Sequence, residues 1–135
     1  GGKMPVTTYH SSYVDEIPFL NMSMTVGPGR SYRYYTGQPI FPFGFGLSYT
    51  TFKLEWSPQP PAPRVLTSLA SGTTYTVTVT NTGKVAGDEC VLAYFKPNAH
   101  TLRGLAAGTP VVQRQLFAFD RVSLTPGQVV EEGAA

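Results

Sequence analysis

A dense aromatic run constrains this chain more than any other feature of its sequence. Residues 32–52 contain eight aromatic side chains: Tyr32, Tyr34, Tyr35, Phe41, Phe43, Phe45, Tyr49 and Phe52. Because so many exposed rings would form a larger apolar patch than soluble proteins normally carry, they must pack against other surfaces. Glycines and prolines interrupt the run and exclude a continuous helix or a regular central strand: Gly37, Gly44, Gly46, Pro39 and Pro42. The run is therefore predicted to be a rigid, ring-packed connector.

The order of residues within this connector is specific. YRYYTG at residues 32–37 is followed by FPFGFGLSYTTF at residues 41–52. This long run resembles the junction near the C-terminus of glycoside hydrolase family 3 enzymes, the β-xylosidase and β-glucosidase family, and above all its plant-type β-xylosidase branch. In that family the junction leads from an α/β sandwich domain into a fibronectin type III-like β-sandwich. Residues 77–89 and 114–127 resemble strands and turns of that β-sandwich.

Alternation of apolar and polar side chains predicts two strands after the connector. Residues 52–56 place Phe52, Leu54 and Trp56 on one face, which is expected to point inward. Residues 75–79 place Tyr75, Val77 and Val79 on one face and threonines on the other. Between these two strands, residues 57–63 contain four prolines and are predicted to form a stiff surface link.

Later segments predict further strands separated by turns. Residues 81–84 and the pair Gly87 and Asp88 are predicted to be breaks in the chain. The continuous apolar run at residues 90–95 favours a central strand covered on both sides. Residues 115–122 are predicted to form another strand, and Val129 and Val130 begin one more.

The N-terminal part is less regular. Residues 4–9 are β-prone, although Pro5 confines them to an edge or to the beginning of a strand. Residues 10–30 show no period of either a helix or a strand, which predicts a long ordered loop. Gly44 and Gly46 are expected to permit positive φ or close backbone approach, so that Phe43, Phe45 and Leu47 can dock.

Together these patterns predict a mainly β protein. The resemblance implies that residues 1–50 are the end of an α/β sandwich domain with the connector. Residues 51–135 would then be a truncated fibronectin type III-like, or immunoglobulin-like, domain. A complete sandwich of this class needs about seven strands. Residues 131–135 depart from the family pattern, so an incomplete sandwich is expected.

Composition excludes several classes of function. The net charge is only +2 and the lysines and arginines are scattered, so a nucleic-acid partner is not expected. No segment approaches the ~18 apolar residues of a membrane span. Cys90 is the single cysteine and is predicted to be a buried structural thiol. His10 and His100 have no further ligand at metal-binding spacing, and no cofactor motif occurs.

The carboxylates do not form a glycosidase pair. Glycoside hydrolysis needs two carboxyl groups that face each other across the scissile bond. The candidates are Asp15, Glu16, Glu55, Asp88, Glu89, Asp120, Glu131 and Glu132. The first two are adjacent in sequence, and Asp88 and Glu89 lie at a predicted break. The resemblance places the family's nucleophile and acid/base in segments that this sequence does not contain, so no catalytic residue is assigned.

Two kinds of modification or binding site are predicted. Arg33, Tyr34 and Tyr35 are candidate sugar-binding residues, because rings stack on pyranose faces and guanidinium groups donate hydrogen bonds to hydroxyls. The competing interpretation is a packed aromatic cluster with a stacked arginine. Asn21, followed by Met22 and Ser23, fits the acceptor pattern for N-glycosylation in a secreted protein.

Two functional hypotheses follow. The first is a non-catalytic C-terminal region of a family 3, β-xylosidase-like glycosidase that acts on xylan-derived oligosaccharides. Its partners would be the upstream catalytic domains of the same chain and, through them, the carbohydrate substrate. The resemblance also implies a secreted or cell-wall location. The alternative is a stand-alone fibronectin type III-like module that binds carbohydrate or protein through exposed tyrosine and tryptophan rings.

Overall fold

The computed structural model describes residues 2–57 and 74–134. These residues form two compact units, one made of residues 2–46 and 94–117 and the other of residues 47–57, 74–93 and 118–134. Each unit is described by itself below. The expected domain boundary at residue 50 stays a prediction. The predicted proline-rich link lies, from residue 58 onward, outside the described residues.

Strands dominate the described residues, with three short helices. The strands are β1 (Phe52–Ser57), β2 (Tyr75–Asn81), β3 (Gly87–Phe95), β4 (Gln115–Leu124) and β5 (Val129–Ala134). The helices are α1 (Tyr13–Glu16), α2 (Ser31–Tyr34) and α3 (Ala99–Arg103). In the described part of the chain no helix has the length and apolarity needed to cross a bilayer. The mainly β class predicted from the sequence is confirmed.

The strands form two sheets. One has the order β1-β2-β5, with β2 antiparallel to both neighbours, and the other contains β3 and β4. In the first sheet Trp56 pairs with Val77, and Val79 pairs with Val130. Two open sheets with apolar faces toward each other are the architecture of a β-sandwich.

An aliphatic core holds the two sheets of this unit together. Val77 and Val79 from β2 are buried with Val91 from β3 and with Val122 and Leu124 from β4. Phe52 and Val130 pack against this cluster. Burial of each such side chain stabilises the fold by about 1.5–3 kcal/mol, so the cluster is the main apolar contribution to this unit. The predicted inner face of β2 is therefore confirmed.

The predicted inward face of β1 is only partly correct. Phe52 packs on the core, but Leu54 is 45% exposed and Trp56 is 39% exposed. The Trp56 ring instead contacts the Tyr75 ring, with centroids 6.0 Å apart. Alternation shows which side chains share a face, but it does not show how far the opposite sheet extends over that face. Among the described residues β1 pairs only with β2 and is therefore an edge strand there.

The prediction of a doubly covered central strand at residues 90–95 is wrong. β3 has β4 as its only strand neighbour among the described residues, and Phe95 is exposed at its end. Val91 and Ala93 are the buried side chains, so the run alternates in burial although it is uniformly apolar in sequence. The strand also begins earlier than predicted. Gly87 and Asp88 belong to it because Arg121 and Ser123 of β4 bind the Asp88 carboxylate across the sheet.

Asn81 is a structural centre that the sequence reading treated as the start of a turn. It ends β2 with its side chain fully buried. Its Oδ1 accepts hydrogen bonds from Thr50 Oγ1 (2.8 Å) and from the Gly83 N–H (3.0 Å). Its Nδ2 donates to the carbonyls of Val85 (2.9 Å) and Leu124 (3.0 Å). Every polar atom of this side chain is therefore paired, which makes its burial favourable.

The other unit is organised by backbone pairing between its N-terminal run and the connector. Thr8 and Phe41 form an isolated bridge in place of the predicted edge strand. The Met4 N–H donates to the Phe45 carbonyl at 2.8 Å, and the Gly44 N–H donates to the Met4 carbonyl at 2.8 Å. Gly44 has φ +82°, and a Cβ on Gly46 would lie 2.8 Å from the Gly2 carbonyl oxygen. The predicted positive φ and close backbone approach are confirmed, whereas the predicted docking of Leu47 is wrong, because its side chain is 83% exposed.

We expect Asn81→Ala to cost about 3–5 kcal/mol of unfolding free energy, because it leaves several buried partners without a hydrogen bond. Equilibrium urea unfolding measures this loss. The matched control is Asn98→Ala, since Asn98 caps α3 through a 2.9 Å bond to the Thr101 N–H on the exposed surface. Its loss should be about 1 kcal/mol. Equal losses for the two variants would contradict the central role of Asn81.

Candidate functional site

Three tyrosine rings pack together in the unit made of residues 2–46 and 94–117. The Tyr9 and Tyr13 rings are stacked, with centroids 4.0 Å apart and planes 7° apart. The Tyr35 ring meets both edge-on, with centroids 4.8 Å from Tyr9 and 5.6 Å from Tyr13. Such aromatic pairs contribute about 0.5–1.5 kcal/mol each beyond the area they bury. The cluster thus ties α1, the end of α2 and the N-terminal run to one another.

The hydroxyl groups of this cluster are also bound. Tyr13 donates to the Gly29 carbonyl at 2.9 Å, and Tyr9 accepts from the Ser31 N–H at 2.6 Å. Burial is the main cause that raises the pKa of the Tyr13 hydroxyl, and the neighbouring Tyr9 raises it further. Tyr13 therefore remains a neutral donor. Ser31 has φ +57°, a strained conformation for a residue with a side chain. Strain of this kind persists only where the surroundings impose it.

The three predicted sugar-binding residues do not converge on one site. The Arg33 guanidinium lies over the Tyr34 ring, with Cζ 5.6 Å from the centroid, and its Nε is buried without a hydrogen-bond partner. Tyr34 lines a pocket of about 190 Å³ together with Pro28 and Pro110. Tyr35 lines a different pocket. Successive residues of a helical turn point about 100° apart, which is why these neighbours face different surfaces. Sugar binding by these residues stays a prediction.

The pocket that Tyr35 lines, called the aromatic pocket below, has a volume of about 240 Å³. Its other aromatic walls are Tyr32 and Phe43, whose ring centroids are 4.5 Å apart. Lys96 and Arg114 also line it. The polar and proline residues around it are Thr7, Ser31, Gln113, Pro39 and Pro42.

Sequence reasoning missed the cationic part of this pocket. Lys96 follows β3, and Gln113 and Arg114 precede β4, far along the chain from the connector. No local pattern marks them. The Gln113 N–H donates to the Arg33 carbonyl at 2.6 Å, a long-range bond that brings this segment to α2. The Arg114 guanidinium lies over the Tyr94 ring, with Cζ 4.9 Å from the centroid.

The carboxylates lie at structural or exposed positions. Asp15 and Glu16 are exposed and consecutive in α1, so they do not face each other. Glu55 forms a 2.8 Å ion pair with Lys53. Asp120 and Glu132 both line a cavity of about 60 Å³ in the core of the sandwich, which is far smaller than ligand sites of about 300–1,000 Å³. A site with two carboxylates around a sugar-sized space does not occur among the described residues.

Asp88 is a cross-strand structural carboxylate. Ser123 donates to it at 2.7 Å, and the Arg121 Nε donates to it at 3.2 Å. These hydrogen bonds, Ser123 first and then Arg121, hold the pKa of the Asp88 carboxyl below its usual value. A carboxylate that is already bound by a cation and a hydroxyl is a poor candidate for proton transfer at neutral pH.

Metal and thiol chemistry find no support in the described residues. No three histidine, cysteine or acidic side chains come together there as metal ligands would. Cys90 is half-buried in β3, so the prediction of a buried structural thiol is only partly correct. Its side chain shares the outer positions of a strand whose inner positions are Val91 and Ala93.

Asn21 lies in a tight local turn. Its Oδ1 accepts a hydrogen bond from the Ser23 N–H at 2.9 Å, and its backbone carbonyl accepts one from Arg30 at 2.6 Å. The side chain is half-buried, and Ser23 is exposed. Glycosylation at this position stays a prediction.

The low pKa of Asp88 generates a test by acid unfolding. The pKa of an aspartate carboxyl is about 3.9 in the unfolded state. A carboxyl with a lower pKa in the folded state stabilises the fold at pH values above about 3.9, and this stabilisation is lost as the pH falls through the folded-state pKa. We therefore expect Asp88→Asn to be less stable than the parent at pH 7 and to lose less stability below about pH 4. Urea midpoints across pH measure both effects. Asp15→Asn, at an exposed position of α1, is the control; identical profiles for both variants would contradict the assigned role.

Known proteins resemble this chain in sequence. No protein-family model matches the chain. The exo-1,4-beta-xylosidase of Emericella nidulans is 41% identical over 139 residues, covering 94% of this chain and 17% of its own length. Beta-D-xylosidase 1 of Arabidopsis thaliana is 35% identical over 155 residues, covering 94% of this chain and 19% of its own length.

The fold of this chain also resembles that of a solved structure. A GH3 exo-beta-xylosidase in complex with a xylobiose aziridine probe superposes with a TM-score of 0.74 at 26% identity. The match covers 99% of this chain and 19% of that one. The chain thus spans less than a fifth of the length of these relatives. By sequence and by fold, it belongs to the C-terminal part of glycoside hydrolase family 3.

Proposed function

We propose that this chain is the non-catalytic C-terminal region of a β-xylosidase-like family 3 glycosidase and that it braces the catalytic domains. The parent enzyme would hydrolyse O-glycosyl bonds in xylan-derived oligosaccharides. The names of the relatives in Emericella nidulans and Arabidopsis thaliana support this substrate class. The share of those relatives that the chain spans, 17% and 19%, leaves ample sequence for separate catalytic domains.

The arrangement of carboxylates supports a non-catalytic role. A retaining glycosidase holds its two carboxyl groups about 5–5.5 Å apart around the sugar. Here Asp88 is bound by Arg121 and Ser123, and Glu55 is bound by Lys53. Asp15 and Glu16 lie side by side on an exposed helical turn. These positions suit local stability and solubility.

An exposed apolar surface is the observation that carries the bracing role. Phe19 is 93% exposed and Leu20 is 89% exposed, and Val14, Met22 and Met24 are exposed nearby in sequence. We call these five residues the 14–24 patch. Several large apolar side chains exposed within one short segment mark an interaction surface. The catalytic domains of the same longer chain are the partner that this proposal assigns to it.

The experiment replaces Phe19 and Leu20 together by serine in the full-length glycosidase that carries this region. If the 14–24 patch is covered by the catalytic domains, the variant should lose about 2–5 kcal/mol of stability, because two large apolar contacts disappear. Differential scanning calorimetry measures the shift, and residual xylosidase activity after warming gives an independent readout. The catalytic carboxylates are untouched, so activity before warming should stay near that of the parent.

The matched control is Val85→Ser, an apolar residue that is 53% exposed in the other compact unit. It should shift the melting temperature much less than the double variant. An unchanged melting temperature in the double variant would contradict the bracing role. That result would favour the alternative, a stand-alone binding module, whose 14–24 patch would remain open to solvent.

A further inference from the structure

We propose that the aromatic pocket binds a sugar acid, that is, a pyranose ring carrying a carboxylate. This ligand differs from the substrate of the proposed parent enzyme. The inference rests on the residues that line the pocket and does not depend on the bracing role.

The walls of the pocket suit a sugar ring. Tyr32, Tyr35 and Phe43 line it with aromatic surface, and a pyranose presents C–H groups to such faces. The volume of about 240 Å³ lies just below the range of drug-sized ligand sites. A single ring, which is smaller than a drug, is therefore the appropriate size. Ser31 and Gln113 also line the pocket and carry hydroxyl and amide groups that can bind ring hydroxyls.

The charges of the pocket select an anion. Lys96 and Arg114 both line it, and no aspartate or glutamate does so among the described residues. Neither cation forms an ion pair within the described part of the chain. The two positive charges beside one pocket repel each other, and an anion bound between them offsets this repulsion. A carboxylate accepts charge-assisted hydrogen bonds from guanidinium and ammonium groups together, whereas a neutral sugar gains much less from them.

The pocket is held in shape before any ligand binds. The Arg114 Cζ lies over the Tyr94 ring, 4.9 Å from its centroid, and this cation–π contact restrains the guanidinium beside the pocket. The residue before Arg114 is also held in place, because the Gln113 N–H donates a hydrogen bond to the Arg33 carbonyl at 2.6 Å. Ser31, also on the pocket wall, is kept at φ +57° by its bond to Tyr9. Preformed geometry reduces the entropy that a ligand must lose on binding.

The test uses isothermal titration of the purified chain with methyl β-D-glucuronide, and with methyl β-D-xyloside as the neutral comparison. We expect saturable millimolar binding of the glucuronide and at least about fivefold weaker binding of the xyloside, the difference that a charge-assisted bond supplies. Arg114→Met should weaken glucuronide binding about tenfold, and Lys96→Met should weaken it about threefold. Higher ionic strength should weaken the glucuronide alone.

Arg103→Met is the matched control, because Arg103 is an exposed arginine in α3 of the same unit and does not line the pocket. It should bind glucuronide as the parent does. Lys96 is exposed, so Lys96→Met tests the charge without disturbing packing. Near-ultraviolet circular dichroism of the tyrosine cluster verifies folding of each variant. Absence of saturable glucuronide binding in the folded chain overturns the proposal. Equal binding of the xyloside, or full competition by acetate at the same concentration, also overturns it.

Discussion

The β-sandwich unit depends on the hydrogen bonds of one buried side-chain amide, that of Asn81. Asn81 ends the middle strand of the larger sheet, where its side chain is paired with Thr50, Gly83, Val85 and Leu124. Its backbone N–H and carbonyl pair with Gln128 and Gly127, at 3.0 and 2.9 Å. A polar side chain is costly to bury unless all its bonds are made, so the sequence around it is constrained. A Cβ on Gly83 would collide with Thr50, which explains the glycine two residues after Asn81.

The two compact units are stabilised by different physical means. In the sandwich unit, aliphatic side chains from both sheets fill a small core around Val79. In the other unit, stacked and edge-on rings take the place of such a core, and short helices and loops carry them. Aromatic contacts pack irregular backbone well because each ring covers a large area with few rotatable bonds. This difference explains why the connector needs no regular strand.

Local patterns in the sequence predicted the strands, but not the extent of their burial. Alternation located β2 and its inner face, and glycine chemistry located the close approach at Gly46. The exposure of Leu54 and Trp56 depends on where the opposite sheet ends, which is a long-range property. The same limit applies to the aromatic pocket, because Lys96 and Arg114 reach it only through the fold. No local signal marks side chains that meet in this way.

We propose that the described residues hold no catalytic centre, and hydrolysis by the purified chain tests this proposal most directly. Aryl β-xyloside and aryl β-glucoside substrates report any turnover as release of the coloured phenol. We predict no release above the buffer rate, since the described residues do not place two carboxylates around a sugar-sized space. Saturable turnover that disappears in Asp88→Asn or Asp15→Asn would contradict the account, because it would place a catalytic carboxyl where the structure has a structural or solvated one.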